Sequence, residues 1–447
     1  MEIYDVAHWL DPARAVRRIA GLPDLLWLDS GYPAAGHSRF DILSACPARR
    51  FVARSSAPPA VARFIEQAHA ALAALDCPAP DAGLPFQGGL MGYWGYDLYR
   101  ADFGLPAGAS RGVPVAYQGL YLWALIIDHR LQRARLLFHP ACPPATRRQV
   151  EALLCTADDS GWPGDADFAL HSVFAAAESP AQYRAKIAQI QQHILAGDIY
   201  QANYAQHFSA HYAGDPLAAY LSQRAQHPAP CSAFLRLDEQ AILCHSPEEF
   251  VRIDGRDIVS RPIKGTAPRN GDPHRDRRNA AALRASGKER AENLMIVDLL
   301  RNDLGQSCEP GSIRVPRLFE LQSFANVHHL VSEVRGRLRA GCDPLEVLRR
   351  CQPGGSITGA PKRRAMEIID ALEVRPRGIY CGNIGYVSRC GRVQTNIAIR
   401  TMLADRGEMH CWGGGGIVAD SDPAHEYRET LHKVGPLMRS LEADYLE

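Results

Sequence analysis

Two stretches of the sequence carry paired glutamates with the spacing of one helix face. Glu289 and Glu292 lie in SGKERAENLMIVDLL, and Glu426 and Glu429 lie in SDPAHEYRETL. Side chains three positions apart are neighbours on a helix surface. Four carboxylates from two converging helices would form an all-oxygen site of the kind that binds Mg²⁺. Either pair alone is more commonly a solvated surface feature, so the magnesium prediction requires that the two helices meet.

Each of these stretches opens with the residues that start a helix. Ser286 stands three positions before Glu289, which is the spacing of a capping box. Asp422 is followed by Pro423, a residue favoured at the first helical position. The sequence therefore predicts that both glutamate pairs lie in the first turns of helices.

Three further features could bind anions. Four consecutive glycines, Gly413–Gly416, permit close backbone approach, and their N–H groups could line an anion site or form only a structural turn. In PGGSITGAPKRRAMEIIDAL, Gly354, Gly355 and Ser356 could hold a carboxylate at a helix start. The GxxxxGK[ST] spacing is absent, which disfavours nucleotide binding. Arg400, in NIAIRT, could bind a carboxylate through two hydrogen bonds or form a surface ion pair.

Lys264 is a candidate nucleophile in SRPIKGTAPR. An amine attacks only when unprotonated, so its pKa must be lowered from about 10.4 by burial or nearby positive charge. Flanking Ile263 and Gly265 are compatible with burial, although a lysine whose tip reaches solvent is the more common arrangement. Glu248 in HSPEEF and His329 in VHHLVS are available as acid–base partners, and the sequence does not establish that either is close.

The bulk composition is that of a soluble enzyme. The 447 residues are 46% hydrophobic and 22% charged with a net charge of +1, which gives no reason to expect nucleic acid or an anionic membrane as partner. The longest apolar run, 120–127, is too short to span a membrane. The N-terminus has no secretory pattern, which favours the cytoplasm. The twelve cysteines form no CxxC pair for zinc.

The order of segments predicts an α+β fold with large sheets. Residues 1–155 mix strand and helix patterns, the polar segment 156–167 is the best linker candidate, and residues 168–447 continue the mixture without the regular alternation of a parallel α/β sheet. The segment 269–290 is rich in arginine and poor in large apolar residues. It is expected to be a solvated loop, with a lid over an anionic substrate as the alternative.

Together these segments resemble the chorismate-utilising enzymes, and within them the component I chains of the aminodeoxychorismate synthases. The N-terminal PDLLWLDSGYPAAGHSRFDIL resembles the opening strands of the same chains. The stretches that carry the resemblance in residues 168–447 are YQANYAQHFSA, HSPEEF, RPIKGTAPR, RAENLMIVDLLRNDLG, VHHLVS, PGGSITGAPKRRAMEIID, GNIGYVS, NIAIRT and GGGIVADSDPAHEYRET.

The resemblance implies two large β-sheets packed face to face as a sandwich and flanked by helices. Residues 1–155, which hold tryptophan in some relatives, and residues 168–447, which bind chorismate, would form one composite unit. Glu292 and Glu429 would contact Mg²⁺, with Glu289 and Glu426 acting through its waters. The implied substrate-binding residues are Gln201, His329, Ser356, Thr358, Lys362, Tyr386, Arg400, Gly414, Gly415 and Gly416.

The resemblance also implies the chemistry. Anthranilate synthases have Ala where this chain has Lys264, and in them ammonia attacks C2 of chorismate directly. In the aminodeoxychorismate synthases the lysine attacks C2 and expels the 4-hydroxyl, and ammonia then attacks C4 and expels the lysine. Glu248 would be the general acid and base. Relatives that form isochorismate or salicylate carry a water-activating lysine where this chain has Gln201.

The sequence contains no Cys-His-Glu glutaminase signature, so a separate glutamine amidotransferase subunit, component II, is the expected partner and source of ammonia. Three alternatives remain open at this stage. Anthranilate synthase component I is disfavoured by Lys264. A pyridoxal-phosphate enzyme would use Lys264 as its Schiff-base lysine. A non-catalytic regulator that binds chorismate or tryptophan would not need the full set of site residues.

Overall fold

The computed structural model describes residues 1–33, 39–76, 81, 83–108, 112–155, 167–324 and 327–446. None of the described helices is long and apolar enough to cross a membrane. Many helices begin at a proline whose preceding Asp or Ser caps the helix, a start that the local sequence dictates. The α-helices are α1 (Pro12–Arg18), α2 (Pro58–Ala73), α3 (Pro144–Leu154), α4 (Pro180–Leu195), α5 (Pro216–Gln226), α6 (Pro273–Ala285), α7 (Gly287–Gly305), α8 (Pro344–Cys351), α9 (Lys362–Leu372) and α10 (Pro423–Tyr445).

The strands are short in the N-terminal third and longer near the site. They are β1 (Glu2–Asp5), β2 (Leu26–Asp29), β3 (Phe40–Ser44), β4 (Arg49–Ala53), β5 (Gly89–Trp94), β6 (Ala116–Tyr121), β7 (Trp123–Asp128), β8 (Arg133–Phe138), β9 (Phe168–Leu170), β10 (Ala175–Ala176), β11 (Gln201–Gly214), β12 (Cys231–Leu237), β13 (Gln240–Ser246), β14 (Glu249–Asp254), β15 (Asp257–Ser260), β16 (Ile263–Pro268), β17 (Arg314–Ser323), β18 (Val327–Arg337), β19 (Gly359–Ala360), β20 (Asn383–Ser388), β21 (Val393–Asn396), β22 (Thr401–Asp405) and β23 (Glu408–Ile417).

These strands form two large sheets. The first has the order β1-β8-β7-β3-β2-β12-β13-β22-β23-β11-β10, and β9 and β19 also pair with β11. The second has the order β16-β18-β15-β14-β21-β20-β5-β6-β4, and β17 also pairs with β18. Strand neighbours such as β11 with β23 and β16 with β18 are antiparallel. The α+β sandwich flanked by helices that the sequence predicts is confirmed.

One hydrophobic core joins the two sheets. It includes Trp27 and Phe234 from the first sheet and Val251 and Tyr386 from the second. The apolar run 120–127 passes from the end of β6 in the second sheet into β7 in the first, and its residues are buried throughout. Strands covered on both faces need continuous hydrophobic residues rather than alternation, which explains the run.

Residues from both halves of the chain share each sheet. In the first sheet β2 pairs with β12, and in the second β5 pairs with β20. Residues 156–166 of the predicted linker lie outside the described part of the chain. The separation into 1–155 and 168–447 therefore divides the sequence but not the sheets.

The arginine-rich segment 269–290 is largely exposed, as expected, but it is not a loop, because most of it is helix α6. Asp272 caps this helix by accepting a hydrogen bond from the His274 N–H at 2.9 Å. Asp276 in its first turn accepts from Arg269 Nε at 3.0 Å and from the Asn270 N–H at 2.8 Å. The expectation of a loop was based on the shortage of apolar residues. The helix is instead stabilised by the Asp272 cap and by the hydrogen bonds that the Asp276 carboxylate accepts.

Candidate active site

The two glutamate pairs do lie in the first turns of helices. Ser286 accepts a hydrogen bond from the Glu289 N–H at 3.3 Å at the start of α7, and Asp422 accepts from the His425 N–H at 2.7 Å at the start of α10. The reciprocal half of the predicted capping box is absent from the bonds of these described residues. Glu289 instead packs on Gly265, where an added Cβ would lie 3.1 Å from Glu289 Oε2.

Charge repulsion and burial act together on the glutamates of α7. Burial raises the pKa of Glu289 above its ordinary value, and the negative charge of Glu429 on α10 raises it further. Burial also raises the pKa of Glu292, although the Lys264 ammonium opposes this effect. Lys288 Nζ on α7 lies 3.5 Å from Glu426 Oε1 on α10, so the two helix starts do meet.

The glutamates of α10 are partly neutralised by lysines. Burial would raise the pKa of Glu429, but Lys433 lies 2.7 Å away and holds the pKa below its ordinary value. Glu426 is 3% exposed, accepts a hydrogen bond from Ser421 Oγ at 2.7 Å and lies 3.5 Å from Lys288 Nζ. The α10 side of the cluster is therefore organised before any metal binds.

The carboxylates of this donor set are of the kind that binds Mg²⁺. Ligand atoms of His425, Glu426 and Glu429, all on α10, lie within 4.8 Å of one another, and among the described residues Glu289 and Glu292 of α7 do not belong to this group. Burial raises the pKa of Glu289 and of Glu292, because their negative charges have lost water and nearby positive charge compensates for this loss only in part. Carboxylate oxygens facing a partly wet cleft are the ligands that Mg²⁺ accepts while it keeps some of its waters.

Ser356 connects the two side chains that could react. Lys264 Nζ donates a hydrogen bond to the Ser356 carbonyl at 3.1 Å, and Ser356 Oγ donates to Glu248 Oε1 at 3.2 Å. Glu248 is 5% exposed, and burial raises its pKa to about 7 even though the Lys264 ammonium opposes the shift. A carboxyl with a pKa near 7 can both donate and accept a proton at neutral pH.

A bulge aims Lys264 at this loop. The pairing of β16 with β18 shifts register between Lys264 and Thr266, and Gly265 between them has φ +85°, a conformation that other residues rarely adopt. The 3₁₀ turn Gly355–Ile357 presents the Ser356 carbonyl opposite. Thr358 is buried, and its hydroxyl donates to the Gly354 carbonyl at 2.8 Å, so it stabilises the turn itself.

Arg400 lies in a cavity that suits an anion. The cavity has a volume of about 180 Å³, and its lining includes Arg400, His329 and Lys433. Burial alone lowers the pKa of Arg400, and among the described residues no carboxylate forms an ion pair with it. Burial and Arg400 lower the pKa of His329 to about 3, so its imidazole is neutral. A carboxylate ligand would supply the partner that the guanidinium lacks.

The glycines and Gln201 face one another across two strands. Gly415 and Gly416 on β23 pair with Tyr204 and Asn203 on β11. A Cβ on Gly415 would lie 3.3 Å from Lys433 Nζ, so this backbone borders the carboxylate cluster. Gln201 is fully buried against Gly416, and its amide oxygen and nitrogen have no hydrogen-bond partner among the described residues. Such an amide is available to a ligand.

Two of the predicted substrate-binding residues lie elsewhere. Lys362 Nζ donates to Asp303 at 2.8 Å, and Asp303 lies eleven residues along α7 from Glu292, about 16 Å by helix rise. Tyr386 is buried in the second sheet, packs edge-on against Phe86 at 5.8 Å and lines an adjoining cavity of about 500 Å³. Arg400 and His329 share one cavity, and Ser356 contacts both Lys264 and Glu248. Thr358 and Gly414 instead hold the loop and the strand pair.

Sequence reasoning missed Lys288 and Lys433. Lys433 stands four residues after Glu429, the spacing at which a glutamate and a lysine meet on a helix. Lys288 immediately precedes Glu289. A further signal was available, because only five of the fifty Lys and Arg residues are lysine, and three of those five border this cleft.

The solved structures define the class of fold. The chain superposes on anthranilate synthase component I from Streptococcus pneumoniae with a TM-score of 0.77 and 28% sequence identity, covering 90% of this chain and 93% of that one. The model of the chorismate binding enzyme family matches residues 26–439. The chain therefore belongs to the chorismate binding enzyme family.

Two curated relatives carry the names of two different activities within this family. Aminodeoxychorismate synthase component 1 of Klebsiella aerogenes is 44% identical over 441 residues, which cover 95% of each chain. Anthranilate synthase component 1 of Streptomyces coelicolor is 41% identical over 376 residues, which cover 79% of this chain and 73% of that one. The identities are close, so coverage and the site residues carry the distinction.

Proposed function

We propose that this chain makes 4-amino-4-deoxychorismate from chorismate and ammonia in the cytoplasm, a step toward p-aminobenzoate and folate. The observation that carries the proposal is the contact of Lys264 and Glu248 with the same residue, Ser356. It supports a nucleophile and an acid–base group that act on one substrate. Nearly full-length similarity to relatives named aminodeoxychorismate synthase component 1 agrees with it.

The reaction balances in two displacements. The Lys264 amine attacks C2 of chorismate, the ring double bond shifts, and the 4-hydroxyl leaves as water with a proton from Glu248. Ammonia then attacks C4, the double bond shifts back, and the C2–N bond to Lys264 breaks. Glu248 accepts a proton from the incoming ammonia, and the lysine, bound to C2 as a secondary ammonium, leaves as the neutral amine. The sum is chorismate plus ammonia giving product plus water.

The other residues bind and orient the substrate. Arg400, in the cavity it shares with neutral His329, would bind one carboxylate of chorismate. Glu289, Glu292, Glu426 and Glu429 would hold Mg²⁺, which would bind the other carboxylate and stabilise developing charge. Gln201 offers an amide where a lysine would be needed to activate water.

Ammonia is proposed to come from glutamine through a separate amidotransferase subunit. The relatives are named as component 1, which implies a second component. The proposal for the partner class rests on that name.

Anthranilate synthesis is the second candidate, since a relative of that name is 41% identical. The two reactions differ in their products. We expect purified protein with chorismate, Mg²⁺ and ammonium to yield 4-amino-4-deoxychorismate by mass spectrometry and to release no pyruvate. Anthranilate together with an equal amount of pyruvate would instead establish the second candidate.

A further inference from the structure

Lys288 lies between the two glutamate pairs and has no part in the proposed reaction. Its Nζ is 3.5 Å from Glu426 Oε1, and Glu426 is nearly inaccessible. Lys288 is on α7 and Glu426 is on α10, so this ion pair joins the first turns of the two helices.

Lysine is rare in this chain, so a lysine at this position is unusual. Arginine supplies nearly all other positive charge, since five of the fifty basic residues are lysine. The two lysines away from the cleft pair with single carboxylates, Lys186 with Glu178 and Lys362 with Asp303. An ammonium is a compact point charge, whereas a guanidinium is a broad planar fork. Lys288 can occupy space between carboxylates that a small cation would also use.

The charges that border the cleft balance. Glu248 enters the proposed reaction as the neutral acid and is therefore not counted. The carboxylates are Glu289, Glu292, Glu426 and Glu429, and the cations are Lys264, Lys288, Lys433 and Arg400. A divalent cation alone would leave an excess of positive charge in a partly buried space, and a dicarboxylate alone would leave an excess of negative charge. The two together restore the balance, so each is expected to favour the other.

We propose that Lys288 is a positioning residue that couples Mg²⁺ binding to the binding of the dianionic substrate. Its ammonium preorganises the carboxylates of both helices and weakens Mg²⁺ binding until the substrate arrives. By linkage, Mg²⁺ and substrate must then increase each other's affinity by the same factor. This inference rests on the proposed function only for the identity of the dianion, chorismate.

The test is calorimetric titration of Mg²⁺ into the metal-free protein, with and without chorismate and with no ammonium present. In the wild type, chorismate should tighten Mg²⁺ binding at least about tenfold. Lys288→Met should bind Mg²⁺ alone about 3- to 10-fold more tightly than the wild type, since one repelling charge is gone. Chorismate should increase the Mg²⁺ affinity of this variant by a smaller factor than it does in the wild type.

Two further variants separate the charge from the fold. Lys288→Arg keeps the charge and should retain the weak binding of Mg²⁺ alone. Lys186→Met removes an ammonium of α4 that pairs with Glu178 outside the cleft, and it should leave Mg²⁺ affinity unchanged. Equal or weaker binding of Mg²⁺ alone by folded Lys288→Met would overturn the inference. The affinity of the substrate-free protein for Mg²⁺ does not depend on the reaction product, so product analysis tests the proposed function separately.

Discussion

At the scale of single residues, Ser356 organises the site. Its carbonyl accepts from Lys264 and its hydroxyl donates to Glu248. The backbone around Glu248 is fixed as well, because its N–H donates to Ser246 Oγ at 3.2 Å and its carbonyl accepts from the Ile397 N–H at 3.1 Å. The acid–base group is therefore held by its own backbone and by the loop that meets the nucleophile.

Buried Glu248 should make stability depend on pH. Its pKa is raised from 4.5 to about 7, so the folded state binds this proton more tightly than the unfolded state. Stability is then lost as pH rises from about 4.5 to about 7. Glu248→Gln should match the wild type near pH 4.5 and exceed it by up to about 3 kcal/mol at pH 8. Urea unfolding at the two pH values measures the difference, and a difference independent of pH would contradict the assignment.

The sequence predicts these residues better than it predicts their contacts. Ser286 and Asp422 are found as helix caps at the predicted positions, because capping is decided within four residues. Lys362 carries the same charge as Lys264 in a similarly glycine-rich context, yet it pairs with Asp303. Which lysine meets the cleft depends on how distant strands and helices pack, and no local pattern contains that information.

At the scale of elements, β23 brings glycine backbone up to the acidic helix starts. An added Cβ at Gly414 would overlap the Tyr204 carbonyl on β11, whereas one at Gly415 would meet only side-chain ends, with Lys433 Nζ at 3.3 Å and Glu426 Oε2 at 3.4 Å. One glycine is thus required by the strand pair and its neighbour by the cleft. The sequence GGGG alone does not show which of these glycines meets which requirement.

Adjacent substitutions should therefore fail in different ways. Gly414→Ala is expected to lower the free energy of unfolding by about 2–4 kcal/mol, since backbone must move to admit the methyl group. Gly415→Ala should fold normally but bind Mg²⁺ about tenfold more weakly, because the methyl group occupies space beside Lys433 and Glu426. Denaturation and calorimetry distinguish them. Equal destabilisation by both would show that Gly415 has only a structural role.

At the scale of the whole molecule, strand pairing between the chain's two parts makes one unit from 1–155 and 168–447. A fragment of residues 168–447 loses β2 beside β12 and β5 beside β20. We expect this fragment to lack a cooperative unfolding transition and to regain one when residues 1–155 are coexpressed. Circular dichroism during urea titration measures this. Cooperative unfolding of the fragment alone would show that the halves are independent domains.

The central claim is that Lys264 directs the chemistry of this cleft. The decisive measurement is the product distribution, by liquid chromatography and mass spectrometry, of wild type and Lys264→Ala with chorismate, Mg²⁺ and ammonium. We expect 4-amino-4-deoxychorismate from the wild type and at least about a 100-fold lower rate of its formation from the variant. Formation of the same product at an unchanged rate by Lys264→Ala would contradict it.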